Sequence, residues 1–141
     1  MAQRRNNQVR LGLIQHACGP DADRNVDKCV AMIRDAAKQG AQLIATQELF
    51  RSTYFCQVED ESRFKLAEPI PGPTTERLCD LAKELGVEIT ASLFEKRAAG
   101  MYHNTSVMID TAGQIIGKYR KMHIPDDPRF FEKYYFTPGD L

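Results

Sequence analysis

The sequence has 141 residues, 43% of them hydrophobic and 27% charged, with nineteen basic side chains balancing nineteen acidic ones. That length fits a single domain of about 100–200 residues, and the composition excludes an intrinsically disordered chain. Zero net charge provides no field to attract nucleic acid or an anionic membrane, and apolar runs such as residues 11–14 are too short to cross a bilayer.

Residues 9–15 form an apolar run ending in turn-forming Gly19, Pro20 and Asp21, and read as a buried strand. Val26, Cys29, Val30, Ile33, Ala36 and Ala37 then recur at helical spacing, with Asp21 or Asp23 as the cap and Gly40 as the stop. Residues 42–46 read as a second strand. A strand–helix–strand run of this kind predicts a right-handed crossover with its two strands parallel. Residues 47–73 read as a long loop with little regular structure, closed by Pro69, Pro71, Gly72 and Pro73. Thr74 or Thr75 is placed to cap a second helix, with Leu78, Leu81, Ala82 and Leu85 on its apolar face and Gly86 at its end. A third strand over residues 87–94 follows, then strands over 102–110 and 114–119 joined at Gly113 as a hairpin. The class is α/β with a mixed sheet.

The strands LGLI, AQLIA and SVMI are apolar on both sides, the pattern of strands covered on both faces. Two helices can cover only one. The chain is therefore expected to stop before its core is complete and to associate as an oligomer. Its first residues, MAQRRNNQ, carry positive charge with no apolar stretch behind them. They read as a flexible tail over 1–8 and not as a signal peptide, so a cytoplasmic location is expected.

Cys18, Cys29, Cys56 and Cys79 lie far apart with no C-x-x-C pair, which argues against a zinc ribbon or a thioredoxin-like redox site. Four free thiols in a reducing compartment fit better. His16, His103 and His123 form no ligand pair, so no metal is expected.

The chemistry gathers at two strand ends. Glu48 follows the strand LIATQ and opens ELFRSTYFCQ, just past the carboxyl end of a strand, where open α/β sheets keep their crevices. Taken alone, a solvated loop glutamate is the simpler reading. The second place is GKYRKMHIPDDPRFFEKYYFTPGD, where Lys121 leaves the strand IIGKY and Glu132 follows eleven positions later. Charge-rich loops are usually solvated, but Phe130, Phe131, Tyr134, Tyr135 and Phe136 interleave with these charges. Rings in that number point to partial burial, where a lysine and a glutamate need partners.

The order QELF, GKYRKMHIPDDP and FEKYYFTPGD resembles the nitrilase, or carbon–nitrogen hydrolase, superfamily. VRLGLIQ, KQGAQLI and YHNTSVMIDTAGQIIGKYRK agree in order and spacing, so the resemblance spans residues 9–141. ELF…YFCQ together with YRKMHIPDDP is similar to the N-carbamoylputrescine amidase branch, and Gln47 stands where many relatives carry proline. The resemblance implies the N-terminal half of an αββα sandwich, residues 9–141 being a partial domain. It also implies a Glu–Lys–Cys mechanism. Glu48 matches the general base, Lys121 the catalytic lysine and Glu132 a supporting glutamate. The nucleophilic cysteine is expected beyond Leu141, since none of the cysteines present matches it. Cys18 follows the first strand, Cys56 sits in YFCQ, and Cys29 and Cys79 read as small core residues on helix faces. Without a nucleophile this chain alone is expected to be inactive.

No cofactor is implied. The implied substrate is a small ureido or amide compound, most closely N-carbamoylputrescine, yielding putrescine, ammonia and carbon dioxide in polyamine biosynthesis. Its free ammonium needs a carboxylate or an aromatic face. Tyr54, Phe55, Asp126 and Asp127 are candidates by residue type. A different class of reading makes the chain a non-catalytic fragment, stable only as an oligomer or beside a partner. A reactive Cys56, five residues from Arg51, is a third; its helix-free loop offers no obvious means of lowering the thiol pKa.

Overall fold

The computed structural model describes residues 8–140, so the tail expected over 1–8 lies, Gln8 apart, outside the described residues. Five strands form one sheet in chain order: β1 (Leu11–Leu13), β2 (Leu43–Ala45), β3 (Glu88–Ala98), β4 (Met101–Ile109) and β5 (Ile115–Arg120). The first three run parallel, and β4 and β5 add antiparallel. This is the mixed sheet that the sequence predicts.

Helix α1 (Ala22–Lys38) begins where Asp21 accepts a hydrogen bond from the Arg24 amide at 3.1 Å. The chain turns away at Gly40, whose φ of 87° suits glycine. Val26, Cys29, Val30 and Ile33 are buried on its inner face. Ala36 packs so tightly over Gly12 of β1 that a side chain at position 12 would crowd it.

Helix α2 (Pro73–Leu85) corrects an expectation. Neither Thr74 nor Thr75 is the cap: Gly72 is, and Pro73 takes the first helical position, where a missing N–H costs nothing. Thr75 Oγ1 instead accepts from the Gly72 amide at 2.8 Å and donates to the Gly72 carbonyl at 2.9 Å. Leu78, Leu81 and Ala82 are buried with the α1 residues against Ile44, Ile89 and Val107 of the sheet.

The other face is bare over part of its area. Strand register places Leu11, Leu13, Leu43, Ala45, Thr90, Met108 and Tyr119 there. Leu11 is 57%, Leu13 78% and Tyr119 56% exposed. One end of the sheet carries a second core of Leu49, Phe55, Cys56, Phe94, Ile124, Tyr135 and Phe136. Two elements went unforeseen: a 3-10 helix over Glu61–Leu66, inside the expected long loop, and the short helix α3 (Glu132–Tyr135). Neither is long enough to show a hydrophobic period. Among the described residues, no helix is long and apolar enough to cross a membrane.

Candidate active site

The segment leaving β2 is fixed before it reaches Glu48. The Gln47 amide accepts from the His16 backbone N–H at 2.6 Å and donates to the His16 carbonyl at 2.9 Å. This joins the segments that follow β1 and β2. Leu49, next in the chain, adopts φ 51°, a left-handed conformation that costs a residue with a side chain about 1–2 kcal/mol. Its side chain is buried in the second core while Glu48 stays exposed, so the backbone turn separates the two side chains.

Lys121 follows β5 directly. Its amide donates to the Asn104 carbonyl at 2.9 Å, and its carbonyl accepts from Gly139 at 2.9 Å. A Cβ at Gly139 would collide with the Arg120 carbonyl, so this approach of the TPGD segment requires glycine. Glu132 lies in α3 with its side chain 4% exposed.

These strand ends and α3 bring the three charges together. Lys121 Nζ lies 2.8 Å from Glu132 Oε2 and 3.3 Å from Glu48 Oε1. Tyr54 donates its hydroxyl to Glu132 Oε1 at 2.9 Å, and Asn104 Nδ2 donates to Glu48 Oε1 at 2.6 Å. Burial pulls the Lys121 pKa down, but its hydrogen bond to Glu132 and the charges of both glutamates outweigh it. The ammonium is held above its ordinary value and stays charged at neutral pH. Burial, with the Glu132 hydrogen bond, raises the Tyr54 phenol and keeps it a donor.

The cluster therefore combines a fixed cation, a buried carboxylate engaged on both oxygens, and a Glu48 carboxylate whose side chain is 52% exposed. An open carboxylate beside a fixed ammonium can accept a proton while the ammonium holds an oxyanion.

The remaining candidates divide. Tyr54 is half-buried with its hydroxyl committed to Glu132. Phe55 corrects an expectation: its ring stacks on Phe94 at 5.1 Å and meets the Tyr135 ring edge at 4.9 Å inside the second core. It offers no open aromatic face, because burial of the apolar ring outcompetes contact with a solvated cation. Asp126 and Asp127 are exposed on the loop between β5 and α3. Cys56 is fully buried, and burial followed by the nearby Glu132 charge pushes its thiol up to about 12. That is the opposite of an activated nucleophile. Cys29 is a core residue and Cys79 packs partly buried against the same core. Asn104 and Ser92 escaped the sequence reading, since a polar residue within a strand carries no signal of its cross-strand partner.

The sequence profile of carbon-nitrogen hydrolases matches residues 10–141. The chain belongs to the carbon–nitrogen hydrolase family. It is 46% identical over 137 residues to N-carbamoylputrescine amidase of Solanum lycopersicum, covering 96% of this chain and 45% of that protein. It is 37% identical over 132 residues to citrullinase of Francisella tularensis, covering 93% and 46%. A solved carbon-nitrogen hydrolase from Helicobacter pylori G27 superimposes with a TM-score of 0.89 at 42% identity, over 94% of this chain and 46% of that one. This carbon–nitrogen hydrolase chain thus spans about half the length of the relatives it matches. Its five-stranded mixed sheet with helices is the nitrilase-type α/β fold of those neighbours.

Proposed function

We propose that residues 9–141 are the N-terminal half of an amidohydrolase acting on a terminal ureido group, with N-carbamoylputrescine as the substrate. The observation that carries this reading is the Lys121 ammonium held between the exposed Glu48 and the buried Glu132. A ureido carbon is a poor electrophile, so hydrolysis proceeds more easily through a covalent intermediate. A cysteine supplied beyond Leu141 attacks it, and Glu48 takes the thiol proton. Lys121 holds the oxyanion, a contribution of about 10²–10³ in rate for one such donor. Glu132, steadied by Tyr54, aims Lys121.

The proton on Glu48 passes to the departing nitrogen, and putrescine leaves. Water, deprotonated by Glu48, then releases carbamate from the sulfur, and carbamate breaks down to carbon dioxide and ammonia. Two likenesses support this reading. The relatives of Solanum lycopersicum and Francisella tularensis are named for ureido substrates. A structure of a glutamate-to-glutamine mutant of the Nesterenkonia amidase, 26% identical with a TM-score of 0.77, shows covalent addition of the acetamide moiety of fluoroacetamide at its active-site cysteine. The bare face bearing Leu11, Leu13 and Tyr119 is the surface that the remaining half of the domain covers. Full-length subunits are expected to associate as a homo-oligomer.

The test compares N-carbamoylputrescine, citrulline and an aliphatic nitrile on the full-length protein, and follows carbamoyl-enzyme formation by mass in a single turnover. N-carbamoylputrescine should have the highest kcat/KM, and Glu48→Gln should slow acylation by at least about 10²-fold. A nitrile turned over as efficiently would sink the substrate assignment. Acylation of Glu48→Gln at the wild-type rate would remove Glu48 as the base. Hydrolysis by the 141-residue chain alone, lost in Cys56→Ser, would move the nucleophile into this half.

A further inference from the structure

We infer that Asn104 and Ser92 form a positioning pair that sets which oxygen of Glu48 is free to take a proton. This rests on the reading of Glu48 as the general base. Ser92 of β3 and Asn104 of β4 are diagonal neighbours on one sheet face, since Ser92 pairs with Ser106 and Asn104 with Phe94. Ser92 Oγ lies 3.3 Å from Asn104 Oδ1 and 3.2 Å from the Leu49 amide. An amide oxygen only accepts and a backbone N–H only donates, so the directions of both bonds are determined. The Ser92 hydroxyl donates to Asn104 and accepts from Leu49.

With its oxygen held by Ser92, the Asn104 amide must present its NH₂ group to Glu48 Oε1, 2.6 Å away. Asn104 is buried, so its amide does not swing freely. Its backbone carbonyl accepts the Lys121 amide at 2.9 Å, so one residue anchors both the carboxylate and the strand end that carries the ammonium. Glu48 Oε1 accepts from Asn104 and Lys121 together. Among the described residues, Oε2 makes no hydrogen bond, and it is the oxygen left to meet a thiol. The other bond of Ser92 falls on Leu49, the residue with φ 51° that turns Glu48 out of the core. The pair thus holds the carboxylate through its side chain and through its backbone.

The experiment follows single-turnover acylation and KM in the full-length protein for Asn104→Ala, Ser92→Ala and Ser92→Thr. Asn104→Ala should acylate about tenfold to a hundredfold more slowly with KM little changed. Ser92→Ala should show the same change at smaller size, and Ser92→Thr, which keeps the hydroxyl, should restore the wild-type rate. An Asn104→Ala enzyme with lowered Tm but an unslowed acylation step would reduce the pair to a structural role and overturn the inference. A readout on the wild type does not depend on how the variants fold. The Asn104 side-chain amide, followed by NMR, should show a hydrogen-bonded, downfield proton that is lost in Glu48→Ala; a resonance with no such bond in the wild type also overturns it. Should Glu48→Gln itself acylate normally, it is the base assignment that fails. Should Glu48→Gln abolish acylation while Asn104→Ala acylates at the wild-type rate, only the positioning pair fails.

Discussion

Arg120 and Lys121 are neighbours in the chain, project to opposite faces of the sheet, and each meets a carboxylate in a different way. Arg120 grips Glu95 with two bonds, Nε at 2.7 Å and Nη2 at 2.8 Å. Thr105 donates to the same carboxylate at 2.6 Å, and Lys118 lies 3.4 Å away. Glu95 is 2% exposed, and every direction open to its oxygens is filled. Burial pushes its pKa up, yet Arg120 and Thr105 overcome this and hold the carboxyl at about 2. Lys121 has a fully engaged partner in Glu132 and a half-open one in Glu48. A carboxylate saturated with donors has no lone pair left for an incoming proton. One held by a single oxygen does. The first arrangement stabilises the sheet, and the second is available for chemistry.

The largest expected effect comes from breaking the saturated side. Arg120→Met leaves Glu95 buried without its fork of donors and should lower the unfolding free energy by about 3–5 kcal/mol in a denaturant titration. Lys121→Met should cost clearly less stability but slow acylation by about 10²–10³-fold. Equal stability losses at the two positions would erase the distinction between the clusters.

Acid should act on the same side. The folded-state pKa of Glu95, about 2, lies below the ordinary glutamate value of about 4.3. Its contribution of about 3 kcal/mol is therefore present in full above the unfolded value and lost as pH falls toward about 2. Urea titrations should show the gap between wild type and Glu95→Gln shrinking over that window. A gap that stays constant would mean that the carboxylate is not held as described.

The smallest effect sharpens the open side. Tyr54→Phe removes the donor to the buried Glu132 Oε1 and should cost about 1–3 kcal/mol of stability. Acylation should fall, by less than in Lys121→Met, because Lys121 keeps its bond to Glu132 Oε2. Loss as large as that of Lys121→Met would make Tyr54 part of the reacting group and not a support.

Much of the fold was legible because its signals are local. The spacing of Val26, Cys29, Val30 and Ile33 marks a helix face wherever the helix packs, and all four are buried. Gly86 ends α2 with φ 64° and Gly113 turns the β4–β5 hairpin with φ 77°, as glycines in those contexts do. The cap of α2 falls on Gly72 although Thr74 and Thr75 are good caps by type, because Pro73 fixes the first turn one residue earlier. Phe55 differs for a similar reason: an aromatic in a loop reads as available until Phe94, Tyr135 and Phe136 close around it.

By itself the sequence determined the α/β order, the inward faces of both helices, and the positions of Glu48 and Lys121 past the ends of strands. Those features depend on residues a few positions apart, within reach of backbone periodicity and of the family motifs. Only the tertiary structure decided which groups meet. Glu48 and Lys121 are separated by 73 residues, and Asn104 reaches Glu48 across 56. Strand register brings Ser92 beside Asn104, and the same alternation sends Arg120 to Glu95 and Lys121 to Glu132. A shift of one residue in that register would exchange the faces and leave each carboxylate without its cation, because side chains of a strand alternate with a period of two.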